Sequence, residues 1–326
     1  MFVSDDMGML SGVESALEAA TDTPLEVTRE PIEEVGRLAA RLREVEADAL
    51  VAGGLTPVTA EVLETGLELV ARGGVGYDNV DLETARETGT LVTNAPDYCT
   101  EEVASHAVSL AVACTRRLGA YDRQTRDGDW DWAEPAAPRR LSETTLGCVG
   151  FGAIAREAAT MAEGLVGETL AYDPYVDRET AAAHGAETVG FETLTRSADL
   201  LVVFAPLTPE TRGLVDEAAL ARLPEDAVVV NVGRGPVVDS DALAAALADG
   251  PVTAAGLDVL PTEPPVDSPL VGRDDVLVTP HAGWYSAEAQ TDLVETVADA
   301  VGAVADGGTP ADRVTVVPSA ADVTTD

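Results

Sequence analysis

Lysine is absent from this sequence of 326 residues, and the 20 bases that remain are all arginine. Against them stand 58 acids, a formal net charge of −38. A chain so short of positive charge has no basic footprint, which excludes binding to nucleic acid or to an anionic membrane surface. Cysteine is scarce: Cys99, Cys114 and Cys148 are odd in number and lack paired spacing. That excludes a disulfide frame or a metal knuckle and points to buried free thiols in a reducing compartment. Apolar runs such as 200–205 and 227–230 are strand-sized, far short of a membrane span. The opening MFVSDDMGML is acidic with no long apolar region, so no signal peptide is expected and the cytoplasm is the expected location. No His/Cys cluster has metal-ligand spacing, so no metal is expected, and a Gly-x-Ser-x-Gly elbow is missing. Asp127-Gly-Asp-Trp-Asp131 superficially suggests a calcium loop, but it lacks the Gly at the sixth position and the Glu at the twelfth.

What is present makes a folded chain. Hydrophobic residues are 46% of the total and mean hydropathy is +0.08, too apolar for an acidic disordered chain. The acids are spread, as in Glu61, Glu64, Glu68 or Asp292, Glu295, Asp299, and so coat a surface and do not form a tail. A charge this far from zero repels itself unless salt screens it. The expectation is a protein that works at very high salt, as in a halophile's cytoplasm.

The length is that of two domains. In the middle of the chain, short apolar runs at 146–149, 169–172, 200–204, 228–231, 254–257 and 276–279 read as strands. Helical patterns at 154–164, 178–184, 217–223 and 241–248 lie between most of them. Continuous apolar strands separated by helices mark a parallel sheet covered on both faces. The N-terminal part repeats this on a smaller scale, with strands expected at 1–4, 25–28, 49–52 and 68–71 and helices near 11–20, 32–44 and 60–65. Two such units imply two α/β domains. Two longer helices sit at the edges of the middle domain, as crossings between domains would. One is capped by Thr100 and runs to about 118, and the other starts near Ser286 and runs to about 305; both carry Glu in the first turn. Residues 319–326 look like a frayed tail.

The chemistry starts at Gly147-Cys-Val-Gly150-Phe-Gly152-Ala-Ile-Ala155, which follows a strand and opens a helix, as a dinucleotide fingerprint requires. Gly150 allows the tight turn, Gly152 the close approach of a pyrophosphate to the helix N-terminus, and Ala155 fills the third fingerprint position. Asp173 ends the next strand, 21 residues after Gly152, where an acid accepts hydrogen bonds from ribose hydroxyls. An acid there repels a 2′-phosphate, so NAD(H) is favoured; NADP is disfavoured by Asp173.

Gly73-Gly-Val-Gly-Tyr-Asp-Asn-Val-Asp81, the fingerprint, Asn231-Val-Gly-Arg234-Gly, Gly256-Leu-Asp258-Val-Leu-Pro-Thr-Glu263-Pro and Pro280-His281-Ala-Gly-Trp284 occur in this order. Together, over about residues 45–318, they resemble the D-isomer-specific 2-hydroxyacid dehydrogenase family. Asp97-Tyr-Cys-Thr-Glu-Glu-Val103 and His281-Ala-Gly-Trp-Tyr-Ser286 are closest to its branch of C-terminal-binding-protein corepressors and their microbial relatives. The resemblance implies an α/β fold of two Rossmann-like/flavodoxin-like domains with doubly wound parallel sheets. Residues 1–98 and 285–318 would form the substrate (catalytic) domain, and 99–284 the inserted NAD-binding Rossmann domain. It also implies a homodimer through the cofactor domains, using the helix at 101–118 and the Trp-bearing loop at 127–140.

The roles implied are these. Arg234 binds the substrate carboxylate and polarises the carbonyl, a task for its planar fork. His281 is the proton donor to the ketone oxygen and the acceptor in reverse. Glu263, 18 residues before it, hydrogen-bonds the imidazole, fixes its tautomer and favours its protonated form. Family members that oxidise formate carry Gln there, so Glu263 argues against formate. Backbone N–H groups at Gly74, Val75 and Gly76 hold the carboxylate, and Trp284 lines the pocket. The cofactor positions are Gly150, Phe151, Gly152, Ala153, Ile154, Asp173, Pro174, Ala205, Pro206, Thr211, Val232, Gly233, Arg234, Asp258, His281 and Gly283. Asp258 would point to the nicotinamide carboxamide and Thr211 would sit over the adenosine side. Phe204 stands where many relatives have His. His106 and His184 read as satisfied core histidines. The activity implied is reduction of a small 2-keto acid to a D-2-hydroxy acid. The alternatives are a nicotinamide-sensing, corepressor-like interaction protein and a short-form D-3-phosphoglycerate dehydrogenase.

Overall fold

A computed structural model describes residues 1–5, 8–32, 34–133 and 137–318. The expected tail, one residue of the helix expected at 32–44 and part of the loop at 127–140 lie outside the described residues. The chain divides into two compact units, Met1–Tyr98 with Tyr285–Asp326, and Cys99–Trp284.

The first unit holds β1 (Phe2–Ser4), α1 (Val13–Ala20), β2 (Thr28–Arg29), α2 (Val35–Glu44), β3 (Ala49–Ala52), α3 (Ala60–Leu63), β4 (Leu69–Arg72), α4 (Leu82–Thr88) and β5 (Leu91–Thr93). The second follows with α5 (Thr100–Thr115), α6 (Leu118–Arg126), β6 (Thr145–Val149), α7 (Ala153–Ala162), β7 (Glu168–Tyr172), α8 (Arg178–Ala183), β8 (Ala186–Thr188), α9 (Phe191–Ser197), β9 (Leu200–Val203), α10 (Glu217–Leu220), β10 (Ala227–Asn231), α11 (Ser240–Asp249), β11 (Val252–Leu257) and β12 (Val276–Val278). The chain then returns to the first unit for α12 (Ala287–Ala305) and β13 (Thr315–Val317).

The first sheet runs β13-β5-β4-β3-β1-β2, parallel except for β13 against β5. That is the flavodoxin-like strand order with an antiparallel edge. Its main core joins Leu38 and Leu42 of α2 and Val62 and Leu63 of α3 to Leu50, Val70 and Val92 of the strands. The second sheet runs β12-β11-β10-β9-β6-β7-β8 and is wholly parallel, the doubly wound order of a dinucleotide-binding fold. Its strands bury both faces. Leu201 and Val203 join a core with Leu194, Leu220 and Leu243, while Leu200 and Val202 face the other way, toward Ala107, Ala111 and Ala158. This two-sided burial is why these strands read as continuous apolar runs.

Differences from expectation have local causes. Thr100 is the first residue of α5 and Cys99 the N-cap, with no side-chain cap bond. The expected helix to 118 breaks at Arg117, which adopts φ 59° while its guanidinium donates to the carbonyl of Thr253 at 2.7 Å. A tertiary bond there overrides helix propensity. Of the strand expected at 25–28 only Thr28 is in β2. Ser286 caps α12 by accepting from the N–H of Ala289 at 2.9 Å.

Candidate active site

The seven parallel strands of the second sheet end on one side, and the candidate site residues follow the carboxyl ends of six of them, β6, β7, β9, β10, β11 and β12. Each is stitched to the next just past the sheet. Gly150 N–H donates to Tyr172 O at 2.8 Å, Phe204 N–H to Val149 O at 2.8 Å, and Val232 N–H to Val203 O at 3.2 Å. Asp258 N–H donates to Asn231 O at 3.0 Å and Thr279 N–H to Leu257 O at 2.9 Å. The order of strands reverses at β6, and ligands of open parallel sheets bind outside the strand ends at such a switch point.

After β6 the chain turns sharply. Gly150 has φ 85°, and a Cβ there would lie 2.9 Å from the backbone of Ala205. Gly152 then caps α7 without a side-chain bond, and a Cβ on it would meet nothing within 4 Å. The chain is therefore open at Gly152 where α7 begins, and a helix N-terminus with its unpaired amides and dipole charge fits a pyrophosphate there. After β7, Asp173 accepts from Phe151 N–H at 2.8 Å and from Tyr175 N–H at 2.9 Å. These bonds fix the carboxylate beside the turn, where it fits a diol and repels a phosphate. Thr211 spends its hydroxyl on its own loop, donating to Pro206 O at 2.6 Å.

Arg234 follows β10 in a loop braced by Asn231, whose side chain accepts from Gly233 N–H at 3.1 Å and donates to Arg234 O at 3.0 Å. Asn231 is buried and received no individual role from the sequence. Its place at the end of an apolar strand, just before the Gly-Arg-Gly turn, was the available signal. His281 follows β12. Its Nδ1 lies 2.7 Å from Glu263 Oε2, and Glu263 Oε1 accepts from Leu260 N–H at 2.8 Å. With Nδ1 engaged by the carboxylate, Nε2 is the ring nitrogen left to exchange a proton with a substrate.

Asp258 is only 4% exposed. Its Oδ1 accepts from Thr279 Oγ1 at 2.6 Å and Ala282 N–H at 2.8 Å, and its Oδ2 from Gly283 N–H at 2.9 Å. Burial pushes this carboxyl up, but hydrogen bonds from His106, Thr279 and the amides of Gly283 and Ala282 outweigh it and hold the group below the ordinary carboxylate range. His106 is thus not the core histidine expected. It is half-buried, with Nε2 3.0 Å from Thr279 Oγ1. His184 is the C-cap of α8, also half-buried.

In the first unit, Arg72 is buried and donates to Gly73 O at 2.9 Å and Gly54 O at 2.7 Å. Ala95 N–H binds Gly74 O at 3.1 Å and Asn94 Nδ2 binds Val75 O at 2.8 Å. The turn through Gly74, Val75 and Gly76 is therefore pinned by its carbonyls.

Residues 108–283 match the sequence profile described as "D-isomer specific 2-hydroxyacid dehydrogenase, NAD binding domain". The chain belongs to that family. Its second unit is the family's NAD-binding domain, and NAD(H) is the cofactor that the Gly152 opening and Asp173 fit. The chain is 36% identical over 282 residues to hydroxypyruvate reductase of Thermotoga maritima, covering 84% of this chain and 90% of that protein. It is 43% identical over 258 residues to D-3-phosphoglycerate dehydrogenase of Mycobacterium tuberculosis, covering 77% of this chain and 49% of that one. The chain thus spans about half the length of the phosphoglycerate dehydrogenases it matches. Among solved structures, the TT0316 protein of Thermus thermophilus superimposes with a TM-score of 0.84 at 30% identity, covering 97% of this chain and 99% of its own. Among the described residues no group of His, Cys, Asp or Glu could hold a metal ion, and no helix is long and apolar enough to cross a membrane.

Proposed function

We propose that the protein is an NAD(H)-dependent D-2-hydroxyacid dehydrogenase, an oxidoreductase that interconverts a small 2-keto acid and its D-2-hydroxy acid. The observation that carries the reading is the His281–Glu263 pair at 2.7 Å, set at the strand ends of a dinucleotide-binding sheet. The bound cofactor supplies or accepts a hydride at C2. Arg234 binds the substrate carboxylate through its planar fork and polarises the carbonyl. The N–H groups of the turn at Gly74, Val75 and Gly76 are assigned to the same carboxylate, and Trp284 to the pocket wall. His281 Nε2 gives its proton to the ketone oxygen, and takes one from the alcohol in reverse. Glu263 keeps the imidazole oriented and offsets its positive charge, while Leu260 N–H keeps Glu263 in place.

The test is NADH oxidation in molar KCl across 2-keto acids from glyoxylate to aromatic ones, with NADPH in parallel. His281→Ala should bind NADH as before and lose turnover by about a hundredfold or more. Unchanged turnover refutes the assignment. Tight NADH binding with no turnover on any acid would favour the corepressor-like sensing reading, which Asp97–Val103 and Trp284 support by their likeness to that branch. Selective turnover of the phosphorylated substrate would favour a short-form D-3-phosphoglycerate dehydrogenase.

The setting is part of the proposal. The net charge of −38 supports work at high salt in a halophile's cytoplasm, and the three buried free cysteines support a reducing compartment. Melting temperature should rise from dilute buffer to molar KCl; no change would sink the halophile reading. A homodimer through the cofactor domains is supported by Trp130 and Trp132, 90% and 86% exposed, and by an apolar groove between α5 and α7 lined by Ala107, Ala111, Ala158 and Ala162. Single copies in light scattering at micromolar concentration and high salt would overturn the dimer.

A further inference from the structure

His281 leaves β12 in an uncommon conformation. Its φ is 53°, in the left-handed region that residues with a Cβ seldom adopt. Its neighbours hold it there, and one carboxylate gathers them. His281 N–H donates to the carbonyl of Asp258 at 2.9 Å. The side chain of Asp258 takes Thr279 on one flank of His281 and the amides of Ala282 and Gly283 on the other. The bracket thus closes around the histidine without touching its ring.

That bracket has an outside anchor on α5. His106 Nε2 lies 3.0 Å from Thr279 Oγ1 and 3.4 Å from Asp258 Oδ1. The Thr279 hydroxyl is already committed as a donor to Asp258, so it offers His106 only lone pairs. His106 must therefore carry its hydrogen on Nε2. Gly283 shows how close the parts are: a Cβ there would lie 2.8 Å from Asp258 Oδ2 and 3.3 Å from the His106 ring. The helix, the histidine, the threonine and the carboxylate form one chain of contacts across 173 residues of sequence.

We propose that His106 is a positioning residue for the proton donor: through Thr279 and Asp258 it holds the left-handed turn that presents His281 to Glu263. The proposal rests on the reading of His281 above. It gives α5 a role in the chemistry that the family motifs at 231–235, 256–264 and 280–284 do not include.

With only three histidines in the chain, isotope-labelled histidine gives a spectrum in which each imidazole is assigned by single substitution. His106→Phe keeps a ring and removes the donor; His106→Gln restores an N–H. In His106→Phe, with far-UV circular dichroism and NADH Kd unchanged, kcat should fall about ten- to a hundredfold, since displacing a reacting group by about 1 Å costs on that order. KM should change little, and the His281 Nδ1–H resonance should shift or broaden in the protein free of substrate and cofactor. His106→Gln should recover most of both. Thr279→Val, with Thr279→Ser as its rescue, carries the same test if His106→Phe does not fold. An unshifted His281 resonance with wild-type kcat overturns the proposal. So does a loss that the Gln and Ser variants fail to rescue, or one that comes with weakened NADH binding, because those are signs of general structural damage. If His281→Ala itself keeps turnover, the functional reading fails, and the resonance still reports whether His106 holds His281.

Discussion

Gly235→Ala puts one methyl where the two halves of the candidate site touch. Gly235 follows Arg234, and a Cβ there would lie 2.1 Å from the carbonyl carbon of Leu260, 2.3 Å from its oxygen and 2.4 Å from Pro261 N. All three are backbone atoms, so no side chain can swing aside. Ordinary contact begins at 3.4 Å, so about 1.3 Å of movement is required, which is overpacking of the costly kind. Gly235 is not among the positive-φ glycines, so the cost is one of space and not of backbone strain. If the Leu260 side yields, Glu263 moves with it, because Leu260 N–H binds Glu263 Oε1 and Glu263 Oε2 binds His281. If the other side yields, the Arg234 loop is pulled from Asn231. Either way one proposed functional group leaves its place. The expected cost is about 1–3 kcal/mol. In a domain of this size that lowers Tm by about 2–12 °C. Turnover should fall on the order of 10²-fold for a displacement near 1 Å. Calorimetry and steady-state NADH oxidation in high salt read both. A variant with wild-type Tm and kcat would refute the coupling of Arg234 to Glu263, and lost stability with intact kcat would place the movement elsewhere.

Gly152→Ala is the counterpart: a methyl that meets no protein atom should leave Tm within about 2 °C, yet weaken NADH about tenfold or more by standing in front of α7. Equal NADH Kd, by fluorescence titration, would show that the dinucleotide does not approach there. Asp258 is held below its ordinary value of 3.8, so its stabilisation is fully present above that value and is lost as pH falls through the lower folded value. Asp258→Asn should cost about 2–4 kcal/mol near neutral pH, because one oxygen becomes a donor facing donors. The gap from wild type in thermal melts should close in strong acid; a gap independent of pH would contradict the bracket. Burial pushes Cys114 and Cys148 up to about 12, so neither should take a maleimide tag in the native protein at mildly alkaline pH, and both should take it in denaturant. Tagging of either in the folded state would show that α5 or β6 opens readily.

What the sequence determined by itself was whatever is written in contiguous residues. The central strands of the second sheet were legible because burial on both faces demands unbroken apolar runs, as at Leu200–Val203 and Ala227–Asn231. Three strands of three residues each escaped: Ala186–Thr188 and Thr315–Val317 pair on one side and are only partly buried, and Leu91–Thr93, though internal and buried, is too short to stand out as an apolar run. The short helices Leu82–Thr88 and Phe191–Ser197 also escaped, since each spans barely two turns and tertiary packing decides whether such a helix forms. The glycine fingerprint and Asp173 stood out by their local pattern around strand ends, and Arg234, Glu263 and His281 by motifs that resemble those of the family. Tertiary structure alone decided what joins distant segments. It broke the long helix at Arg117 with a bond to Thr253, and it spent the Asp258 carboxylate on the turn around His281. It also brought His106 to Thr279 from 173 residues away. No local propensity encodes such a contact. It exists because α5 packs against β10, β11 and β12, bringing a helix side chain to the polar groups that gather at the strand ends and must find partners there.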